Sequence, residues 1–344
     1  MRTTRQIFYI LALSTFLSSC FKEIDESPIP RTVEETFTVQ NSIKQVQSFF
    51  RFYENTVLEV VTVSPSSWDL AFESAGEENR VMIGWGTNSR MIDTGLDDFS
   101  EVSQDLILDL IEEPEDWKFN DPSFVTRIDS MHLMSWELGN VFIHNRGVES
   151  DTYYALQYVS QTSDSYTFRY ASAQSLDIIK EVTVYRNDAF NYVYFSYNEE
   201  STVQVEPLRE QWDIVCTPYT GWWETDEPGV YAPFFISGIL INNEFGVRIA
   251  RIFDPDVDFK DIDLSYTNLY EFTDLKGAIG ADWKILGEVG SANLYTMDPD
   301  KKYLLEKYDY ETSREMYFKL QIVDYKLDGE DHHPTIEFKY LGSK

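Results

Sequence analysis

Two tryptophan–aspartate segments 144 residues apart set the frame for this chain. Trp68-Asp69-Leu70-Ala71-Phe72 returns as Trp212-Asp213-Ile214-Val215-Cys216. Trp136-Glu137-Leu138 returns as Trp283-Lys284-Ile285, and Tyr153-Tyr154-Ala155-Leu156 returns as Lys302-Tyr303-Leu304-Leu305. Each Trp-Asp follows an aromatic run, Phe49-Phe50-Arg51-Phe52 in one case and Tyr192-Val193-Tyr194-Phe195 in the other. Four landmarks in one order read as two diverged copies of a single unit. The expected copies span 34–178 and 179–344.

The copies carry strand patterning. Tyr166-Thr167-Phe168-Arg169-Tyr170, Val182-Thr183-Val184-Tyr185, Tyr192 to Tyr197 and Met316 to Val323 are rich in aromatic and β-branched residues, many alternating with polar ones. Such residues suit a pleated, half-buried surface and fit a helix poorly. Phe, Tyr and Trp make up 15% of the chain, so the pattern recurs throughout. The expected fold is all-β, with two related antiparallel units. One inserted helix is expected over Ser100–Glu113, with Val102, Leu106, Leu108, Leu110 and Ile111 apolar and Pro114 stopping it. In the Trp-Asp segments, alternation would place Trp68, Leu70 and Phe72 on one face, with Asp69 opposite.

The N-terminus reads as an export signal. Arg2 and Arg5 precede the apolar stretch Ile7–Leu17, which is too short to span a bilayer core of roughly 30 Å as a helix. Leu17-Ser18-Ser19-Cys20 follows, and this ending resembles the bacterial lipobox, whose cysteine is diacylated and becomes the first residue. Residues 1–19 are thus the expected signal peptide, and 20–33 a lipidated, proline-bearing tether. Lys22, Glu23, Asp25 and Glu26 suit either a surface-export signal or a plain solvated linker.

Charge and cysteine usage exclude several function classes. Removing residues 1–19 removes two arginines and no acid, leaving 26 basic against 59 acidic residues, a formal charge of −33. That field repels nucleic-acid phosphates and anionic lipid. With Cys20 lipidated, Cys216 has no partner for a disulfide, so stability must come from a packed core. No glycine-rich phosphate loop, H-E-x-x-H, G-x-S-x-G or zinc-type Cys/His spacing occurs, so no enzyme activity is expected.

Several segments together resemble the HmuY-like lipoproteins of Bacteroidota. They are the two Trp-Asp segments, Tyr219-Thr220, Ile236 to Asn242, Gly280-Ala281-Asp282-Trp283-Lys284, and the closing Tyr317–Ile322 and Pro334–Leu341. The resemblance covers most of residues 45–342. It implies an all-β protein on the outer face of the outer membrane that captures haem for an outer-membrane transporter. The family's namesake holds haem iron between two histidines, lying between the Trp-Asp strand and the final hairpins. Here that stretch holds Met82, Met91, Met131, His132 and Met134 in the first copy, and neither His nor Met over 217–280 in the second. The histidine pair therefore does not carry over residue by residue. The candidates for haem ligation are His132 with Met134 or His144, then Met82 and Met91, since methionine can serve as an axial ligand beside histidine. Met131 would point away from His132 on a strand. His332 and His333, between Gly329 and Pro334, read as an exposed turn. The alternative is a structural or partner-binding surface lipoprotein in which the haem site has been lost.

Overall fold

The computed structural model describes residues 36–39, 46–54, 56–76, 79–112, 117–123, 138–147, 150–224, 227–286, 295–328 and 331–344. Residues 1–33, with Cys20, lie outside them, as do Met131, His132, Met134 and Trp136.

In the first copy the chain forms β1 (Thr36–Thr38), β2 (Gln47–Tyr53), β3 (Thr56–Val63), β4 (Leu70–Glu73), β5 (Val81–Ile83) and β6 (Arg90–Asp93). A helix α1 (Gln104–Ile111) follows, then β7 (Lys118–Phe119), β8 (Val141–Asn145), β9 (Tyr153–Gln161) and β10 (Ser165–Ser172). The second copy supplies β11 (Lys180–Tyr185), β12 (Tyr192–Ser196), β13 (Ser201–Val203), β14 (Ile214–Glu224), β15 (Tyr231–Ile241) and β16 (Arg248–Ile252). It ends with β17 (Lys284–Leu286), β18 (Tyr295–Met297), β19 (Lys302–Asp309), β20 (Arg314–Asp328) and β21 (Asp331–Ser343). The fold is all-β. The helix is shorter than expected because Ser103 caps it, its hydroxyl accepting from the Leu106 amide at 3.2 Å, and Trp117 Nε1 donates to the Leu110 carbonyl near its end.

Four sheets stack through three apolar seams. The outer sheet β11-β10-β9-β8-β6-β7 faces the inner sheet β13-β12-β4-β5, with Leu70, Phe72, Phe142, Phe168 and Phe195 between them. The other outer sheet, β1-β21-β20-β19-β16, faces the inner sheet β15-β14-β2-β3 through Phe50, Phe52, Ile214, Ile239 and Phe318. The two inner sheets meet through Phe49, Trp68, Tyr194, Trp212 and Leu240. Both faces of each inner sheet are therefore covered, which explains why Leu70-Ala71-Phe72 and Ile214-Val215-Cys216 are apolar at every position.

The sheets regroup the copies. One pair of sheets is built from β4–β13, a continuous stretch, and the other from β1–β3 together with β14–β16 and β19–β21, while β17 and β18 form a small sheet of their own. The aromatic strand of each copy pairs with the Trp-Asp strand of the other: Phe195 lies opposite Leu70, and Phe50 opposite Ile214. The boundary at 178/179 runs between β10 and β11, which are paired strands of one sheet.

The third sequence landmark shifts as well. A three-ten turn with a left-handed cap leads into β6 (Asn88, φ 57°) and into β16 (Gly246, φ 82°), which makes those strands equivalent. Because β6 pairs with β8 and β16 with β19, the counterpart of β19 in the first copy is β8 and not the Tyr153 strand β9. Trp68 also departs from expectation. It precedes β4, packs in the central seam beside Tyr194, and leaves Leu70 and Phe72 to the seam on the other side. His332 and His333 lie in β21, opposite Leu327 and Lys326, and not in a turn.

Candidate ligand cleft at the first Trp-Asp junction

The same junction is built twice. In each copy a three-ten turn, Pro65–Ser67 or Arg209–Gln211, ends on the tryptophan in extended conformation. The following aspartate donates its amide to the neighbouring aromatic strand: Asp69 N to Phe195 O, and Asp213 N to Phe50 O, both at 2.8 Å. Two residues further along that strand, an amide returns to the carboxylate. Tyr197 N reaches Asp69 Oδ2 and Phe52 N reaches Asp213 Oδ2, both at 2.7 Å. The tryptophans pack edge-on against matched rings, Trp68 on Tyr194 at 4.9 Å and Trp212 on Phe49 at 5.1 Å. A cation then closes each junction from the equivalent strand. Asn145 pairs with Arg90 and Glu306 with Arg248, so the next residues, Arg146 and Lys307, occupy matched positions.

The two junctions differ in what surrounds the cation. Lys307 Nζ is sealed between Asp213 Oδ2 at 2.6 Å and the Phe52 carbonyl at 2.7 Å, and both side chains of the ion pair are almost inaccessible. Arg146 holds Asp69 in two-point fashion, Nε to Oδ1 at 2.5 Å and Nη2 to Oδ2 at 3.2 Å, while Nη1 donates to Asn198 Oδ1 at 2.8 Å. Such planar pairing is available to arginine and not to lysine. Burial pushes the Asp69 carboxyl above its usual range, against the pull of Arg146 and of the Tyr197 amide.

Above this pair lies a cleft of about 510 Å³, lined by Ser66, Asp69, Thr87, Asn88, Arg146, Gly147, Ser150, Asn198 and Phe235. Its far wall comes from the second copy. The offset between copies grows from 144 at the tryptophans to 158 at the matched turn residues Gly84 and Asn242, because the β14–β15 hairpin is longer than β4–β5. Only Ile214–Cys216 of β14 pair with β2, so the rest of the hairpin projects as an arm. The arm is tied to the cleft by Thr220 Oγ1, which donates to Asn88 Oδ1 at 2.9 Å, and it presents the exposed Phe235. On the opposite rim a Cβ at Gly147 would stand 2.6 Å from the Thr87 carbonyl, so this close approach needs glycine.

The described residues singled out for haem lie elsewhere. His144 and Met91 are brought together as directly opposed residues of β8 and β6, both fully buried. His144 Nδ1 bonds the Tyr197 hydroxyl at 3.0 Å, and burial lowers its pKa to about 3. Side chains opposed on adjacent strands share one face of the sheet, whereas two axial ligands must approach a porphyrin from opposite faces. Met82 is buried in the central seam, apart from both. His132 and Met134 lie outside the described residues. Cys216 is buried, and burial pushes its thiol well up. Among the described residues no group of three or more His, Cys, Asp or Glu is placed to hold a metal ion.

Arg146, Asn198, Asn88 and Phe235 escaped the sequence reading because they come from four separate segments. The one available signal was the pairing of Arg146 with Lys307, hidden by an offset of 161 where the tryptophans give 144. Comparison with protein-family models, curated proteins and solved structures found no match.

Proposed function

We propose that this chain is a lipid-anchored protein of the outer-membrane surface that works by binding, without catalysis, and that the cleft over Asp69 and Arg146 is its ligand site. The observation that carries the reading is the contrast between two versions of one junction. At Asp213–Lys307 the ion pair is a closed strut, which is all that the fold requires. At Asp69–Arg146 the same strut opens into a cleft with polar side chains on one wall and an aromatic ring on the other. The cleft's volume of about 510 Å³ falls within the range of small-ligand sites, and its lining is mostly polar. The Leu-Ser-Ser-Cys ending supports the anchor, and the lack of catalytic signatures in the sequence supports binding. Haem, which the family resemblance brings in, rests on His132 and Met134, since His144, Met82 and Met91 are core side chains.

The test is a thermal-shift screen of the protein against a small-molecule set that includes haemin. It is run beside Asn198→Trp, which fills the cleft from its exposed rim. Compounds that stabilise the wild type and fail to stabilise the filled variant are expected. Hits indifferent to the substitution, or none at all, would replace this reading with the partner-binding alternative. A Soret band with haemin that persists in Asn198→Trp would return haem capture at another site.

A further inference from the structure

The cleft offers more hydrogen-bond donors than acceptors, and it carries no net charge. Arg146 has five N–H groups, of which three are engaged by Asp69 and Asn198. The guanidinium can only donate, so it fixes Asn198 with its carbonyl inward. Among the described residues the Asn198 amide nitrogen then has no partner, and the side chain is exposed. Asn88 is held through its carbonyl by Thr220, and the Ser150 hydroxyl accepts from the Thr152 amide, which leaves its proton to give. On the other side of the ledger, Asp69 already accepts three bonds.

The positive charge of Arg146 is cancelled by Asp69 in the same plane. An anion entering the cleft would find no excess cation there and would meet a chain of net charge −31. The ligand must therefore bring neutral oxygen acceptors. It must also place an apolar face on the half-exposed Phe235 ring. A peptide backbone carries an N–H for each carbonyl, and these would need acceptors where Asp69 has three of its roughly four sites filled. A sugar hydroxyl accepts while its own proton turns toward water.

We infer that the cleft binds a neutral saccharide, with ring hydroxyls on Arg146, Asn198, Asn88 and Ser150 and a C–H face on Phe235. The inference rests on the cleft being the ligand site. Phe234 supplies an internal control: it neighbours Phe235 and is exposed to a similar degree, but successive strand residues face opposite sides.

The experiment uses detergent-extracted full-length protein on immobilised neutral oligosaccharides (cellotetraose, mannotetraose and chitotetraose) and acidic ones (tetragalacturonate and a heparin tetrasaccharide). Variants are first matched to wild type in thermal unfolding. Retention on at least one neutral glycan is expected, weakened roughly tenfold by Asn198→Ala and by Phe235→Ala and unchanged by Phe234→Ala. Retention on acidic glycans alone would overturn neutrality and leave the cleft as the site. Neutral glycans held equally by all variants would overturn both the saccharide contacts and the cleft. Retention on no glycan would overturn the saccharide, while the small-molecule screen with Asn198→Trp judges the cleft separately.

Discussion

At the residue scale, two buried ionisable groups give the protein opposed responses to pH. His144 is neutral in the core, with its pKa lowered to about 3. In the unfolded chain an imidazole takes its proton near pH 6.5, so the unfolded state gains protons first as pH falls. Stability is therefore lost between about pH 6.5 and 3, with a slope approaching about 1.4 kcal/mol per pH unit. His144→Leu installs the residue found at the matched position, Leu305, and is expected to flatten that limb in urea unfolding. An unchanged acid slope would show that His144 is not the group responsible. Glu206 runs the other way. It is enclosed, accepts from the Tyr192 amide at 2.8 Å, and burial raises its pKa to about 7. Its neutral form is the one favoured in the fold, so its contribution is full below about pH 4.5 and is lost as pH rises through 7. Glu206→Gln should remove that decline, and a decline that persists would assign it to another group.

At the scale of elements, the Trp-Asp junction shows how one local solution can serve two ends. A carboxylate at the head of a buried strand must be compensated, and both copies use one amide of the neighbouring aromatic strand and a cation from the equivalent strand. Removing the cation should therefore cost differently. Lys307→Met leaves Asp213 buried and uncompensated, for an expected loss of about 3–5 kcal/mol. Arg146→Met leaves Asp69 beside an open cleft that water can enter, for an expected loss of about 1–3 kcal/mol. Denaturant titration of the two variants gives the comparison. Equal losses would mean that the first junction is no more open than the second.

At the scale of the molecule, the order of the copies along the chain is not the grouping of strands in space. Each pair of sheets takes its last strands from one copy and its first three from the other. A fragment of residues 64–206 contains every strand of the first pair, whereas 34–178 lacks β11, β12 and β13 and carries β1–β3 without β21 and β14 to pair with. The former is expected to retain β-sheet circular dichroism and a cooperative urea transition, and the latter neither. The reverse result would show that the sequence copies fold on their own. The proposed lipid anchor is tested at this scale too. Cys20→Ser is expected to release the protein from the membrane fraction, and continued retention would show a second attachment.

The sequence by itself determined the all-β class, the presence of a repeated unit, and the burial of both Trp-Asp segments. It also placed a helix within Ser100–Glu113. These follow from near-neighbour chemistry: side-chain period, β-branched and aromatic content, and a proline stop are written in adjacent residues. Tertiary structure alone decided the rest. Which aromatic strand pairs with which Trp-Asp strand depends on contacts more than a hundred residues apart, and both pairings satisfy the same local pattern. Histidine reads alike whether it binds a metal or fills a core, so only burial between β6, β9 and Tyr197 placed His144. The cleft exists because the β14–β15 hairpin outgrew its counterpart and reached the first junction. Its length was in the sequence, but its destination was set by the packing of the two inner sheets.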